Sequence, residues 1–202
     1  LTPRDARAGM AEAVKVALIR DASFFAWLVE HAEQLARFEP QALDVLIRRA
    51  AAIHLQHITQ GGDPFELGSA RPLDYGHWAA HKLESLSEHR LRHGEAVAIG
   101  MALAARYAAR TGLLKESEAD AVLGLLEALG FRLWDEALAQ TNAAGKPKVL
   151  DGLADFREHL GGELTVTLLH GLGRTREVHE MHEAEVLAAL RDLETRDSRR
   201  CA

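Results

Sequence analysis

The sequence predicts a mostly helical domain with one small β-hairpin near its C-terminus. Apolar residues recur at three- and four-residue steps along most of the chain, the spacing of amphipathic helices. One segment departs from this period: Leu164, Val166 and Leu168 alternate with Thr165 and Thr167 between glycine pairs, which marks a strand and turn. Neither Gly-x-Gly-x-x-Gly after a strand nor Gly-x-x-x-x-Gly-Lys-Ser/Thr occurs, so the chain carries no nucleotide-binding unit of its own.

The elements follow in order. Thr2 or Asp5 can cap a first helix whose Met10, Val14, Ala17 and Leu18 share one face, through about Arg20. A second amphipathic stretch holds Phe24, Phe25, Trp27, Leu28 and Leu35, with the aromatic cluster read as core. A third runs from Pro40, suited to a first helical turn, to Gln60. Gly61-Gly-Asp-Pro64 breaks the period, and the chain is read as irregular to Tyr75. Helices resume over 76–86, 93–111, 116–129 and 183–193, with a loop at 142–148. After the strand, Arg174 to Val178 returns as its partner. The terminal Arg-Asp-Ser-Arg-Arg reads as a frayed tail.

Composition narrows the function. Thirty acidic against twenty-four basic residues leave a formal charge of -6 in 202 residues, a poor match for nucleic acid or an anionic membrane as the main partner. Cys201 is the single cysteine, so no internal disulfide can form and a reducing compartment fits. The longest apolar run, Ala96 to Ala105, is half the roughly twenty residues a membrane span needs. The opening Leu-Thr-Pro-Arg-Asp is no signal peptide. A soluble cytoplasmic protein is expected, and the start at Leu1 suggests a domain of something longer.

The chemistry concentrates in three segments. His77 and His81 stand four apart, so both imidazoles leave one helical face. The zinc-protease motif would need Glu after the first histidine, where this chain has Trp78. His93 opens a helix of small residues, Gly94, Ala96, Ala98, Gly100 and Ala102, that permits close backbone approach. Upstream, Glu12 and Lys15 share a face among Ala, Val and Met. A divalent metal held by one carboxylate and two imidazoles, with a position left open, would satisfy such a set. With eleven histidines, some pairs fall at this spacing by chance, and a Glu–Lys pair alone is commonly a solvated ion pair. His179 and His182, in an acidic stretch, read as a solvated loop.

Gly9-Met-Ala-Glu-Ala-Val-Lys15, Gly76-His-Trp-Ala-Ala-His-Lys-Leu-Glu84 and His93-Gly-Glu-Ala-Val-Ala-Ile-Gly-Met101 together resemble the C-terminal half of the 3-dehydroquinate synthase family, the sugar phosphate cyclases. Gly161-Gly-Glu-Leu-Thr-Val-Thr-Leu-Leu169 and Gly173 resemble that family's terminal hairpin. The resemblance implies the helical C-terminal domain of the dehydroquinate synthase-like fold, one domain over 1–202, with the N-terminal NAD-binding domain absent from this chain and the chain inactive without it. It implies a metal, zinc or cobalt, on Glu12, His77 and His93, with Lys15 and His81 as catalytic groups beside the substrate. The implied reaction is a carbon–oxygen lyase reaction, in which NAD-dependent phosphate elimination precedes intramolecular aldol cyclisation, as in the shikimate pathway or cyclitol biosynthesis. Implied partners are a sugar phosphate, the NAD-binding domain and a second copy in a homodimer.

Three positions depart from the dehydroquinate-forming pattern. Asp74 stands where the family usually has Asn, His54 where it commonly has a lysine, and Ala70 where it has an arginine, although Arg71 is adjacent. His54, Arg71 and Asp74 are the expected substrate-binding residues. Less fixed positive charge beside an extra carboxylate suits a carboxylated sugar phosphate poorly. Compensation by Arg71 and His57 would keep the dehydroquinate activity; otherwise a neutral heptulose or hexose phosphate is the substrate. Two other functions remain open: a metal-dependent alcohol dehydrogenase-like domain, and a non-catalytic helical module.

Overall fold

The computed structural model describes residues 2–60, 71–159 and 162–201. Helix α1 (Pro3–Arg20) begins where the Asp5 N–H donates to Thr2 Oγ1 at 3.2 Å and Pro3 occupies the first turn. Its C-terminal neighbour Asp21 caps α2 (Ala22–Glu30) by accepting from the Phe24 N–H at 2.9 Å. The stretch through Leu35 is not one helix. It breaks at His31, whose Nδ1 lies 2.9 Å from the Trp27 carbonyl oxygen and whose ring stacks on Trp27 at 4.3 Å, and resumes as α3 (Ala32–Ala36). The aromatic cluster is core: Phe24 and Phe25 are buried and Trp27 packs against them.

Helix α4 (Pro40–Gln60) follows, then a 3-10 turn over Arg71–Asp74. Helices α5 (His77–Leu86), α6 (His93–Arg110) and α7 (Glu116–Ala128) lie close to the sequence boundaries. Helix α6 is the centre of the domain, packed against α1, α5, α7 and strand β1 (Val166–Gly171). Every residue from Ala96 to Ala105 is buried, as expected of a helix apolar all round.

Helix α8 (Asp151–His159) is not anticipated by the sequence period, because only Leu153 and Phe156 are sizeable apolar residues in it. Gly152 lets it pack on α5, since a Cβ there would lie 2.5 Å from the Trp78 carbonyl oxygen.

Strand β1 pairs antiparallel with β2 (Arg174–Val178), Val166 opposite Val178 and Leu168 opposite Arg176. The hairpin turn closes on the α1–α2 corner: the Gly173 N–H donates to Leu18 O at 2.8 Å, and a Cβ on Gly173 would lie 2.7 Å from Ala22 N.

Helix α9 (Glu183–Cys201) packs on α6 and continues well past the expected Leu193. The terminal segment read as frayed is helical because it is tied down by charge: Arg196 donates to Glu127 at 2.8 and 3.0 Å, and Arg132 donates to Asp197 at 2.8 Å. No described helix is long and apolar enough to cross a membrane.

Candidate metal centre

Two backbone contacts at glycine set the site. Gly76, at φ +81°, precedes His77, and a Cβ on it would lie 2.7 Å from Met101 N in the middle of α6. Gly94 follows His93, and a Cβ there would lie 1.9 Å from the Ala8 carbonyl oxygen on α1. Glu12 sits one turn beyond Ala8. The start of α5 is thereby pressed against the middle of α6, and the start of α6 against α1, the helix that carries Glu12.

As a result Glu12, His77 and His93 each offer a ligand atom within 4.8 Å of the others. His93 Nε2 lies 3.7 Å from Glu12 Oε1. That oxygen is sealed from solvent and has no hydrogen-bond partner among the described residues. A buried carboxylate oxygen without a partner is costly unless a cation meets it, so the donor set fits a divalent ion. One carboxylate and two imidazoles is a set that suits zinc or cobalt.

The other carboxylate oxygen, Glu12 Oε2, takes the Lys15 ammonium at 2.7 Å, with the Lys15 side chain only 6% exposed. Burial opposes the charge on Glu12, but Lys15, His77 and His93 outweigh it and hold the carboxyl below its ordinary pKa. His77 is itself buried; desolvation, with the Lys15 charge behind it, lowers its pKa to about 4. Its Nδ1 lies 3.3 Å from the Tyr75 carbonyl oxygen, leaving Nε2 with the lone pair, and the Tyr75 hydroxyl in turn donates to Met101 O at 3.2 Å.

His81 reaches the same site from the rim. Its ring centroid is 5.3 Å from that of His77 and 6.2 Å from that of His93, and the residue is exposed. Asp74 and His81 line one cavity of about 250 Å³ with Trp78, Lys82, Ser85 and Phe156. Trp78 is both wall and core, 1% exposed. His54 is exposed on α4 and is not among the described residues lining that cavity. Ala70 lies outside the described residues, as do the side chains of Arg71 and His57. His179 and His182 are mostly exposed, and both metal-competent groups among the described residues contain His93 instead.

One contact has no counterpart in the sequence reading. His93 Nδ1 lies 3.2 Å from Glu84 Oε2. Glu84 follows His77 by seven residues and His81 by three, so the period that pairs the histidines also marks this carboxylate as their neighbour.

Residues 9–146 match the family model described as 3-dehydroquinate synthase C-terminal. Among curated relatives, a 2-epi-valiolone synthase of Actinosynnema mirum is 35% identical over 192 residues, covering 94% of this chain and 49% of that protein. A 3-dehydroquinate synthase of Acidithiobacillus ferrooxidans is 34% identical over 191 residues, covering 94% and 50%. Among solved structures, ValA, a 2-epi-5-epi-valiolone synthase from Streptomyces hygroscopicus subsp. jinggangensis 5008 with NAD+ and Zn2+ bound, gives a TM-score of 0.85 at 32% identity over 98% of this chain and 53% of that one. A 2-deoxy-scyllo-inosose synthase complexed with carbaglucose-6-phosphate, NAD+ and Co2+ shares the fold, with a TM-score of 0.70 at 22% identity over 95% and 53% of the two chains. This chain spans about half the length of the relatives it matches. With a helical architecture, a terminal hairpin and more than half of its residues under that model, the chain belongs to the 3-dehydroquinate synthase family and corresponds to its C-terminal domain.

Proposed function

We propose that this chain is the metal- and substrate-binding half of an NAD-dependent sugar phosphate cyclase, a phosphate-eliminating carbon–oxygen lyase that acts together with an NAD-binding domain. The observation that carries the reading is the convergence of Glu12, His77 and His93 around a sealed carboxylate oxygen that has no hydrogen-bond partner among the described residues. Relatives solved with NAD+ and Zn2+ or Co2+ support the choice of cofactors.

When bound, the metal supplies Lewis-acid polarisation of a substrate hydroxyl and the nicotinamide a reversible hydride acceptor. The chain's own residues do the rest. Glu12 stays ionised because Lys15 holds its Oε2, and His77 stays neutral at physiological pH because burial disfavours its charged form. Lys15, fixed by Glu12, donates to a substrate oxygen from within the protein. His81, at the rim, exchanges a proton with the leaving phosphate. Asp74 accepts from ring hydroxyls in the adjoining cavity; Arg71 and His54 complete the substrate contacts.

The substrate is a neutral heptulose or hexose phosphate rather than a carboxylated one. Asp74 supports this, because a carboxylate lining the cavity favours a hydroxyl donor and repels a substrate carboxylate. The working form is a homodimer, and the lone Cys201 suits a cytoplasmic setting.

The test joins the chain to an NAD-binding domain and measures metal content, phosphate release and nicotinamide redox state. One zinc or cobalt per chain, with phosphate released and no net NADH, is expected. His93→Ala should remove the metal while leaving helicity intact; full occupancy in that variant rejects the ligand assignment. Accumulating NADH without phosphate release would point to an alcohol dehydrogenase, and a metal-free wild type to a non-catalytic module.

A further inference from the structure

Glu84 shares a helical face with His77 and His81 but has no part in the reading above. We propose that Glu84 is a positioning residue of the metal centre: it accepts the Nδ1 proton of His93 and so commits His93 Nε2 to the ion. The inference rests on the ligand assignment of the preceding subsection.

Three observations converge on it. First, the two imidazoles are held differently. His77 is buried and its Nδ1 meets a backbone carbonyl, so the fold itself fixes that ring. His93 begins α6 with a side chain 48% exposed, and the polar group at its Nδ1 is the Glu84 carboxylate at 3.2 Å. Without that contact, the chain would have to order an exposed ring at the moment of binding.

Second, the contact selects a tautomer. A neutral imidazole has one donor and one acceptor nitrogen, so a donating Nδ1 leaves the lone pair on Nε2. Nε2 is the nitrogen that lies 3.7 Å from Glu12 Oε1, the oxygen without a hydrogen-bond partner among the described residues. A carboxylate behind a ligating histidine also raises the ligand's basicity.

Third, the local charge needs it. Lys15 cancels the charge of Glu12, so the three ligands and their nearest cation are together neutral. Glu84 returns a net negative charge to a site meant for a dication. Its side chain is 21% exposed, shielded enough for the charge to be felt.

A competing role is visible in the same atoms. His81, Glu84 and His93 also bring ligand atoms within 4.8 Å of one another, so Glu84 could instead be a ligand of a second ion. The test uses the full chain with Co2+ as the probe, measuring affinity by chelator competition, stoichiometry by metal analysis and coordination by the visible cobalt spectrum. Expected are one ion in the wild type, one ion bound about 10-fold or more weakly with an altered spectrum in Glu84→Gln, partial recovery in Glu84→Asp, and unchanged melting of the metal-free variants.

Wild-type affinity in Glu84→Gln overturns the positioning role. So does a wild type binding two ions where the variant binds one, and so does an affinity loss matched by a fall in metal-free melting temperature. His77→Ala separates the two levels. If it leaves Co2+ binding intact, the ligand assignment fails and this inference with it; if it abolishes binding while Glu84→Gln does not change it, the positioning role alone fails.

Discussion

The carbonyl oxygen of Gly76 occupies the space a side chain at Gly100 would need: a Cβ there would lie 2.1 Å from it. The carbonyl is backbone and a Cβ is fixed in place by its own Cα, so neither can swing aside. Gly100→Ala should therefore push the start of α5 off α6, costing about 3 kcal/mol, and should weaken metal binding because His77 rides on the displaced turn. Gly124→Ala is the control. Nothing lies within 4 Å of a Cβ at that position in α7, so replacing glycine within a helix should stabilise by about 0.5–1 kcal/mol. Urea unfolding of the two variants reads both signs.

Lys15 gives a prediction in two opposing parts. Replacing it by Met strips the Glu12 carboxylate of its ammonium and should cost the metal-free chain about 1–3 kcal/mol. The same change removes a positive charge next to the proposed dication, so the affinity for Zn2+ should rise and the metal-induced increase in melting temperature should exceed that of the wild type. Thermal melts with and without Zn2+ check this, and a smaller increase would contradict the geometry.

Substrate choice should follow Asp74 and His54. Asp74→Asn combined with His54→Lys exchanges a carboxylate for an amide and adds a fixed cation. In the chain joined to an NAD-binding domain, preference should move toward a carboxylated sugar phosphate by about 10-fold or more, the worth of one charged hydrogen bond. Unchanged preference in a direct competition assay would count against these positions as readers of the substrate.

Acid stability should depend on Asp135. Burial pushes its carboxyl up, but Arg90, paired through both oxygens at 2.9 and 2.8 Å, and the Ala137 N–H at 2.9 Å outweigh it and hold the pKa below the usual range. The folded chain thus keeps this carboxylate ionised to lower pH than the unfolded chain does. Its stabilisation is complete above about pH 4 and lost as the pH falls further. Asp135→Asn should lower the urea midpoint at neutral pH and flatten its decline below pH 4.

The sequence was most legible where one period ran unopposed. Helices α1, α4, α5, α6 and α7 keep their apolar spacing from cap to end, and the Leu164–Leu168 alternation marks the hairpin. Elements held by tertiary contacts were not legible. Helix α8 owes its place to Gly152 against α5 rather than to an apolar stripe, the break at His31 to a side chain bonding a backbone carbonyl, and the last turns of α9 to Glu127 and Arg132 on other segments. The site follows the same division. Spacing put His77 and His81 on one face and Glu12 beside Lys15, but how closely α5 approaches α6 is set at Gly76 and how closely α6 approaches α1 at Gly94, and spacing alone gave Glu84 no role.

Because the Gly173 amide closes onto the Leu18 carbonyl, the last turn of the helix that carries Glu12 receives a backbone partner from a turn encoded far along the chain, after β1. A growing polypeptide must hold that helix unfinished while α2 to α8 and β1 are translated. Such distant closures slow folding, so the nascent chain depends on protection from aggregation for longer than a bundle of neighbouring helices would.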